Sequence, residues 1–318
     1  MDLNKAILYG QLVQEAYNVP TTDLKNRAGT TVTAERGPNK TTYEVIASIY
    51  ANDLVTDASK KRGPTTGRVS IGLLLWQSDA GEAVIAIRGT QGLLEWFQDA
   101  KFGTQKCPFL TDAGETEDGF TDMYKSFAVG APTGKPVTAS LATIFGTKQV
   151  NSLTVCGHSL GGALATLQAL DAAANSKFKN PAVYTYASPR TGDSQFAGTY
   201  NRLVPDTFRI ANRVDLVPKL PLSPPYDHVR GLYELTALKL FPPAVLVEPN
   251  PLCEHILETY LHLLSKRAGG KPLPLRPICD TPGGMVKFWS YVGIEFRSVE
   301  QLIKDFRKGA GSVFGGGA

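Results

Sequence analysis

Residues 153–165 read Leu-Thr-Val-Cys-Gly-His-Ser-Leu-Gly-Gly-Ala-Leu-Ala and give the strongest indication of the fold. Its first four residues are apolar or β-branched and predict a buried strand, whereas the small residues after Leu160 predict the start of a helix. The Gly-x-Ser-x-Gly pattern between them is typical of a sharp turn, in which the serine has a strained backbone and the two glycines let the turn close. We therefore expect the hydroxyl of Ser159 to stand clear of a sheet.

Three neighbouring residues at this turn are candidates for a functional site. Ser159 is a candidate nucleophile, because such a turn exposes its Oγ atom. The backbone N–H of Leu160 lies at the positive end of the expected helix, where it can stabilise a developing oxyanion. His158 is adjacent to the nucleophile and should point elsewhere, so we expect it to pack or to hydrogen-bond beside the substrate-binding region.

Patterning along the rest of the chain predicts an α/β fold class, with a mixed, mostly parallel central sheet flanked by helices. Apolar residues at helical spacing predict a first helix from Leu3 to Tyr17, and a polar loop is expected from there to about Thr42. The turn residues from Ser78 to Gly81 predict an antiparallel hairpin. Further elements are the helix Leu160–Ala174 and the strands Tyr43–Tyr50, Val69–Trp76, Ala83–Arg88, Leu153–Cys156, Ala182–Ala187 and Thr207–Ala211.

Composition excludes several classes of protein. Of the 318 residues, 42% are hydrophobic and 19% are charged, which is typical of globular proteins and not of disordered chains. The 33 basic and 29 acidic residues are interspersed, so no basic stripe for nucleic acid is expected. No leader-like or membrane-spanning apolar run is present. We expect one catalytic domain over residues 1–308 and a flexible Gly-rich tail over residues 309–318.

Four cysteines are present, and their spacing predicts neither a metal site nor a cofactor. Cys156 lies in an apolar run and is interpreted as a small buried hydrophobic residue. Cys253 and Cys279 lie in Pro-rich, loop-like surroundings and could form a disulfide, but the sequence leaves that pairing open.

The stretch at 153–165 resembles the turn that carries the nucleophile in the class 3, or fungal-type, lipase family. Residues 87–90 (Ile-Arg-Gly-Thr), followed by residues 95–99 (Glu-Trp-Phe-Gln-Asp), are similar to that family's oxyanion strand and its sequel. Residues 212–221 are similar to the segment that carries its catalytic acid. The resemblance spans roughly residues 5 to 265. It implies an α/β-hydrolase fold, hydrolysis of acyl esters without a cofactor, and a mobile lid.

The same resemblance sets expectations about partners. It implies an acylglycerol or another carboxyl ester as substrate and transient contact with a lipid–water interface. It also favours secretion, while the sequence leaves a cytoplasmic location open. The chain departs from the family pattern at Ile87, where Phe is common, and within residues 102–118. The apolar, Pro-rich segment Leu235–Leu252 is a further departure. These departures leave the substrate class open.

A serine nucleophile needs an imidazole to accept its proton and a carboxylate to orient that imidazole. The order of the family, Ser then Asp then His, leaves His228, His255 and His262 as candidates for the base after the acid Asp215. The segment that His255 begins is similar to the family's catalytic His and the helix after it, which favours His255 as the base. Asp215 follows an apolar strand, which is where such sites are built. The remaining candidates have ordinary explanations as packed, turn or surface residues, and they are His228, His262, Asp193, Asp206 and Asp227.

The oxyanion is expected to be held by the backbone N–H groups of Thr90 and Leu160, with the Thr90 hydroxyl as a further candidate. Four large apolar residues follow Thr90 closely and are candidates for a lid or a substrate-binding surface, namely Leu93, Leu94, Trp96 and Phe97. The alternative is a buried helical turn anchored by Trp96, in which case Leu235–Leu252 is the candidate lid.

The sequence therefore predicts a serine carboxyl-ester hydrolase, a triacylglycerol lipase or esterase, which acts through an acyl-enzyme. The alternative is a catalytically silent protein on the same fold that binds a lipid or a protein partner.

Overall fold

The computed structural model describes residues 1–36, 39–53, 67–89, 102–235 and 251–279. In these ranges, thirteen strands belong to two sheets, and the strands are β1 (Thr31–Arg36), β2 (Asn39–Asn52), β3 (Arg68–Gln77), β4 (Glu82–Ile87), β5 (Thr104–Lys106), β6 (Glu115–Glu117), β7 (Ala128–Val129), β8 (Ser152–His158), β9 (Ala182–Tyr186), β10 (Gly192–Asp193), β11 (Thr207–Asn212), β12 (Tyr226–Asp227) and β13 (Leu232–Leu235). The helices are α1 (Leu3–Asn18), α2 (Asp118–Lys125), α3 (Val137–Ser140), α4 (Leu160–Asn175), α5 (Ser194–Leu203), α6 (Pro251–His255) and α7 (Leu257–Arg267).

The main sheet is mixed. Its order is β1-β2-β3-β4-β8-β9-β11-β13, and β7 pairs with β2. Pairing is antiparallel from β1 to β4 and parallel from β4 to β13. The carboxyl ends of β4, β8 and β11 consequently lie along one edge, which is where parallel sheets place their functional residues. A smaller antiparallel sheet has the order β12-β10-β6-β5.

Helices cover both faces of the main sheet, and each face has its own apolar core. On one face α4 packs on β8 and β9 through small side chains such as Ala163 and Ala165, which are fully buried. On the other face α1 packs on the sheet and on α7, and Leu12 and Tyr260 are buried there. Strands covered on both faces explain the continuous apolar runs in the sequence.

The expected fold class is confirmed, as is the hairpin, in which β3 and β4 pair antiparallel from Gly72–Ile87 to Gln77–Glu82. The loop expected from Pro20 to Thr42 is partly wrong, because Thr31–Arg36 forms β1 and β2 begins at Asn39. β1 is an edge strand, and among its residues 31–35, whose burial is described, only Ala34 is fully buried. Its alternating polar residues therefore resemble a loop in sequence.

Among the described residues, no helix is both long and apolar enough to cross a membrane. The extent of one domain over residues 1–308 and the flexibility of residues 309–318 stay predictions, since residues 280–318 lie outside the described part of the chain.

Candidate active site

Ser159 lies at the junction of β8 and α4, with φ 62° and ψ −128°. These angles lie in a region that residues with a side chain rarely adopt, so the turn is strained. Surrounding contacts hold it there, and the Ser159 N–H donates to the Tyr186 carbonyl at 2.8 Å. The strain turns the serine side chain out of the strand direction.

The two glycines of the turn are required by close backbone approach. A Cβ atom on Gly157 would fall well inside van der Waals contact with the carbonyl of Gly161. A Cβ atom on Gly161 would collide with the carbonyls of Ile87 and Arg88 at the end of β4. The turn therefore packs directly against the strand that leads to the candidate oxyanion residue.

The structure brings Ser159, His255 and Asp215 together from three separate segments. The Ser159 Oγ atom is 2.7 Å from His255 Nε2, and His255 Nδ1 is 2.9 Å from Asp215 Oδ2. Because a carboxylate accepts, the proton of a neutral imidazole is on Nδ1, and Nε2 is free to accept the serine proton. The geometry is that of a nucleophile, a general base and an orienting acid.

Asp215 is 1% exposed and is held by two further donors. The N–H of Val217 donates to Oδ1 at 3.0 Å, and the hydroxyl of Tyr260 donates to Oδ2 at 2.7 Å. Tyr260 also accepts from the N–H of Asn212 at 3.0 Å. Sequence reasoning missed Tyr260, because nothing in its local sequence shows that α7 reaches the end of β11.

Glu254 is a second buried carboxyl group in this region that the sequence did not single out. It is 4% exposed and precedes His255. Burial, followed by the charge of Asp215, raises its pKa well above the ordinary range. A raised pKa favours the protonated, uncharged form of the Glu254 carboxyl group.

His158 is 3% exposed and lies in the interior behind the nucleophile. Its Nε2 atom is 2.7 Å from the carbonyl oxygen of His255, and its Nδ1 atom is 2.8 Å from the hydroxyl of Tyr17. Burial and the neighbouring His255 lower the pKa of His158 well below its ordinary value. His158 is thus a neutral hydrogen-bonding residue between α1 and the end of α6, which carries His255.

The candidate oxyanion region is described on one side only. Leu160 is 1% exposed, and as the first residue of α4 it has an N–H without an intrahelical acceptor. Thr90 lies outside the described residues, as do Leu93, Leu94, Trp96, Phe97 and nearly all of Leu235–Leu252. Gly89, which precedes Thr90, lies beside the nucleophile, and a Cβ atom on it would be 3.0 Å from Ser159 Cβ.

The other histidines and acids that were considered lie apart from the triad. His228 Nε2 is 2.5 Å from the Pro218 carbonyl, and burial with Arg209 nearby lowers its pKa to about 3. His262 Nδ1 is 2.8 Å from the Leu273 carbonyl. Asp193 caps α5 by accepting the N–H of Phe196 at 2.7 Å. No group of three or more metal-ligating side chains occurs in the described ranges.

The sequence matches the family model described as Lipase (class 3) over residues 84–224, which include most of β4, the strained turn and the loop of Asp215. Over this part of the chain, the protein is similar to the class 3 lipase family. The match excludes α7 and the segment with His255, so the role of His255 rests on the geometry.

Proteins similar to this chain occur in plants and fungi. Phospholipase A1-II 6 of Oryza sativa subsp. japonica is 28% identical over 323 residues, covering 85% of this chain and 77% of that protein. The secreted mono- and diacylglycerol lipase A of Penicillium cyclopium is 34% identical over 155 residues, which is 48% of each chain. The mono- and diacylglycerol lipase structure from Aspergillus oryzae shares the α/β-hydrolase fold, with a TM-score of 0.52, 20% identity and coverage of 78% of this chain and 82% of that one.

These similarities identify the class of enzyme. The family and its named relatives are lipases, so the chain is a hydrolase of the lipase or esterase type. Catalytic silence on the same fold is not supported, because the family match and the serine–histidine–aspartate geometry agree.

Proposed function

We propose that this protein hydrolyses carboxyl esters through an acyl-enzyme on Ser159, with His255 as the base and Asp215 as the orienting acid. The observation that carries the proposal is the contact of 2.7 Å between Ser159 Oγ and His255 Nε2, with Asp215 on the other ring nitrogen. The strained backbone of Ser159 adds to it, since strain of this kind concentrates at functional sites.

The reaction proceeds in two balanced halves. Ser159 Oγ attacks the ester carbonyl while His255 Nε2 takes its proton, and the oxyanion is held by the N–H groups of Thr90 and Leu160. Collapse of this intermediate expels the alcohol, which receives the proton from His255. Water then repeats the sequence on the acyl-enzyme, and the acid product leaves with Ser159 restored. Asp215 stabilises the imidazolium in both halves.

The substrate class in this proposal is an acylglycerol at a lipid–water interface. The support is the name of the Penicillium cyclopium relative, which acts on mono- and diacylglycerols. A phospholipid is a second candidate, because the rice phospholipase A1 covers 85% of this chain. Fatty-acid release from an emulsified diacylglycerol and from phosphatidylcholine vesicles, at equal ester concentration, decides between the two.

Ser159→Ala tests the catalytic assignment. We expect it to abolish hydrolysis of a soluble p-nitrophenyl ester while the protein stays folded, since triad members act as a unit. A matched control is Ser140→Ala, which also removes a buried serine hydroxyl, the one bonded to the Pro136 carbonyl at 2.9 Å. Full activity of Ser159→Ala would make Ser159 a structural turn residue.

We also propose that Leu93, Leu94, Trp96 and Phe97 belong to a lid or substrate-binding segment. The support is their sequence position directly after the oxyanion residue and their apolar character. Replacing Leu93 and Leu94 by Ser should lower the rate on emulsified long-chain glycerides more than on a dissolved short-chain ester. An equal effect on both substrates would place the lid elsewhere, with Leu235–Leu252 as the next candidate.

Secretion is the proposed localisation. Two observations support it: the Penicillium cyclopium relative is named as secreted, and Cys253 and Cys279 form a disulfide, a bond that persists in oxidising compartments. Immunoblots of cells and of the surrounding medium, run without reductant, test this proposal. Protein confined to the cytosol with both thiols reduced would contradict it.

A further inference from the structure

Tyr17, near the end of α1, lies between two parts of the active site that come from distant segments. Its hydroxyl is 2.9 Å from the N–H of Gly89 and 2.8 Å from Nδ1 of His158. His158 in turn reaches the His255 carbonyl oxygen at 2.7 Å. We propose that Tyr17 is a positioning residue for catalysis. It holds Gly89, which follows β4, in a fixed position relative to His255 at the end of α6. This inference rests on the proposed function.

Each hydrogen bond in this chain has a single consistent direction. A carbonyl oxygen can only accept, so the proton of His158 is on Nε2 and points to the His255 carbonyl. Nδ1 of a neutral His158 is then an acceptor, and Tyr17 must donate to it. The lone pairs of the Tyr17 hydroxyl remain free to accept the N–H of Gly89. The hydroxyl is thus used both as a donor and as an acceptor.

Gly89 is held by its carbonyl group as well. The Nε atom of Arg88 donates to the Gly89 carbonyl at 3.0 Å, and its Nη1 atom donates to the Val19 carbonyl at 2.9 Å. The Arg88 guanidinium lies 4.9 Å from the centre of the Tyr17 ring. Tyr17 therefore contributes twice, with its hydroxyl to the N–H of Gly89 and with its ring to the cation that binds the carbonyl of Gly89.

This arrangement matters for the oxyanion because peptide units are planar. The carbonyl of Gly89 belongs to one such unit beside Ser159, so a group that fixes this carbonyl also fixes the plane of that unit. Donors to an oxyanion must lie close to 3 Å from it, and removing one such donor costs about 10²- to 10³-fold in kcat. A misplaced donor should cost part of that factor.

The test uses Tyr17→Phe, which keeps the ring beneath Arg88 and removes only the hydroxyl. On a soluble short-chain ester we expect kcat to fall about 10- to 100-fold with KM changed less than about 2-fold. The inhibition constant of a trifluoromethyl ketone, which adds to Ser159 and forms an oxyanion, should rise by the same factor. A purely structural tyrosine would not change these two quantities in parallel.

Tyr9→Phe is the matched control. Tyr9 lies on the same helix and is 4% exposed, and its hydroxyl donates to Glu82 Oε1 at 2.6 Å at the opposite end of the parallel strands. It should lose stability comparable to Tyr17→Phe and keep kcat. If Tyr17→Phe keeps kcat within about 2-fold, or loses no more than Tyr9→Phe, the positioning role is wrong.

A second variant breaks the same chain at another bond. His158→Gln should lower kcat without raising KM, and the double variant with Tyr17→Phe should lose less than the product of the two single losses, because both act through one path. Independent losses would contradict the proposal, and His158→Gln alone tests it if Tyr17→Phe does not fold. Failure of the proposed function is distinguishable, since then Ser159→Ala would remain active.

Discussion

Asp215 accepts three hydrogen bonds at once, and this requires a carboxylate at its position. Its carboxylate accepts from the imidazole of His255, from the hydroxyl of Tyr260 and from the N–H of Val217. Replacing the carboxylate by an amide presents an NH₂ group to at least one of these donors. The residue therefore fixes the tautomer of His255 as well as its orientation.

Asp215→Asn is expected to keep the fold and lower kcat by up to roughly 10⁴-fold at neutral pH, because the amide favours the wrong imidazole tautomer. Steady-state kinetics on a soluble ester, with circular dichroism for the fold, provide the measurement. Asp227→Asn is the control, as Asp227 is exposed and accepts only from the neighbouring N–H of His228 among the hydrogen bonds described. Equal activity of the two variants would move the catalytic acid elsewhere.

Tyr260→Phe removes one donor from Asp215 Oδ2 and leaves the imidazole bond in place. We expect a smaller loss of kcat than for Asp215→Asn, on the order of 10-fold, since a hydrogen bond to a charged group contributes about 1.5–3 kcal/mol. The pH profile of kcat/KM measures the effect on the base. An unchanged rate and profile would make Tyr260 a packing residue only.

Candidate site residues that belong to a local sequence pattern could be predicted from the sequence. Residues whose role depends on contacts between distant segments could not. Ser159 is predicted from the glycine spacing, Asp215 from the family order and the strand before it, and His255 from the similarity of its segment to that family. Tyr17 and Tyr260 lie in amphipathic helices where tyrosine is an ordinary core residue. Their hydroxyl partners are 141 and 45 residues away in sequence, and no spacing rule covers such distances.

Among the elements, the strained turn and the strand beside it depend on Gly161. Gly161→Ala should destabilise the protein by about 1–3 kcal/mol and lower kcat, because the added Cβ pushes against the carbonyls at the end of β4. The control is Gly198→Ala in α5, where an added Cβ meets nothing and should stabilise by about 0.5–1 kcal/mol. Urea unfolding and kinetics of both variants test the contrast, which disappears if the turn can relax.

The N-terminus of helix α2 is capped by the carboxyl group of Glu117, and we expect this group to make the stability of the protein depend on pH. Glu117 is 2% exposed and accepts the N–H of Phe120 at 2.7 Å, and burial raises its pKa from 4.5 to about 7. The folded state thus holds a proton that the unfolded state releases between these two values. The contribution of Glu117 to stability is complete below pH 4.5 and is lost as the pH rises toward 7.

Glu117→Gln keeps a capping oxygen but cannot ionise. The difference in unfolding free energy between wild type and Glu117→Gln should therefore change by about 1–3 kcal/mol between pH 4.5 and pH 7, with wild type losing stability relative to the variant. Comparison of the two proteins removes the opposite contribution of buried His158 and His228, which are protonated more readily when unfolded. A constant difference across this range would mean that the pKa of Glu117 is the same in the folded and the unfolded state.

The sequence did not predict strand β1, because only one side of this strand is buried. β1 pairs with β2 in register from Thr31–Glu44 to Arg36–Asn39, but only one side of this edge strand meets the core. Its sequence therefore contains few apolar residues, and hydrophobic periodicity gives little signal. Strands such as β4, which is buried along nearly its whole length, were predicted closely for the opposite reason.

In the molecule as a whole, one disulfide connects the segment that carries His255 to the end of the described chain. Cys253 and Cys279 are fully buried and 26 residues apart, and they enclose α7 and His255 within one covalent loop. Closing a loop of this length stabilises a protein by about 3–4 kcal/mol in the chain-entropy model.

Replacing both cysteines by Ala is expected to lower the unfolding free energy by about 2–4 kcal/mol. Activity should be lost at a lower temperature than in wild type, because His255 lies in the released segment. Thermal unfolding and residual activity measured in parallel test this. The control is Cys107→Ala, which removes a buried free thiol outside the site and should leave the activity–temperature curve close to that of wild type.

The contact between Ser159 and His255 joins two segments that leave the ribosome at different times. Residues of α1 emerge early. His255, the partner of Ser159, lies 96 residues after Ser159 in the sequence, and Tyr260 emerges later still. A nascent chain that has exposed the strained turn therefore carries a serine without its base, and a serine hydroxyl alone is a poor nucleophile. Translation therefore delays esterase activity until the segment that carries His255 has been synthesised.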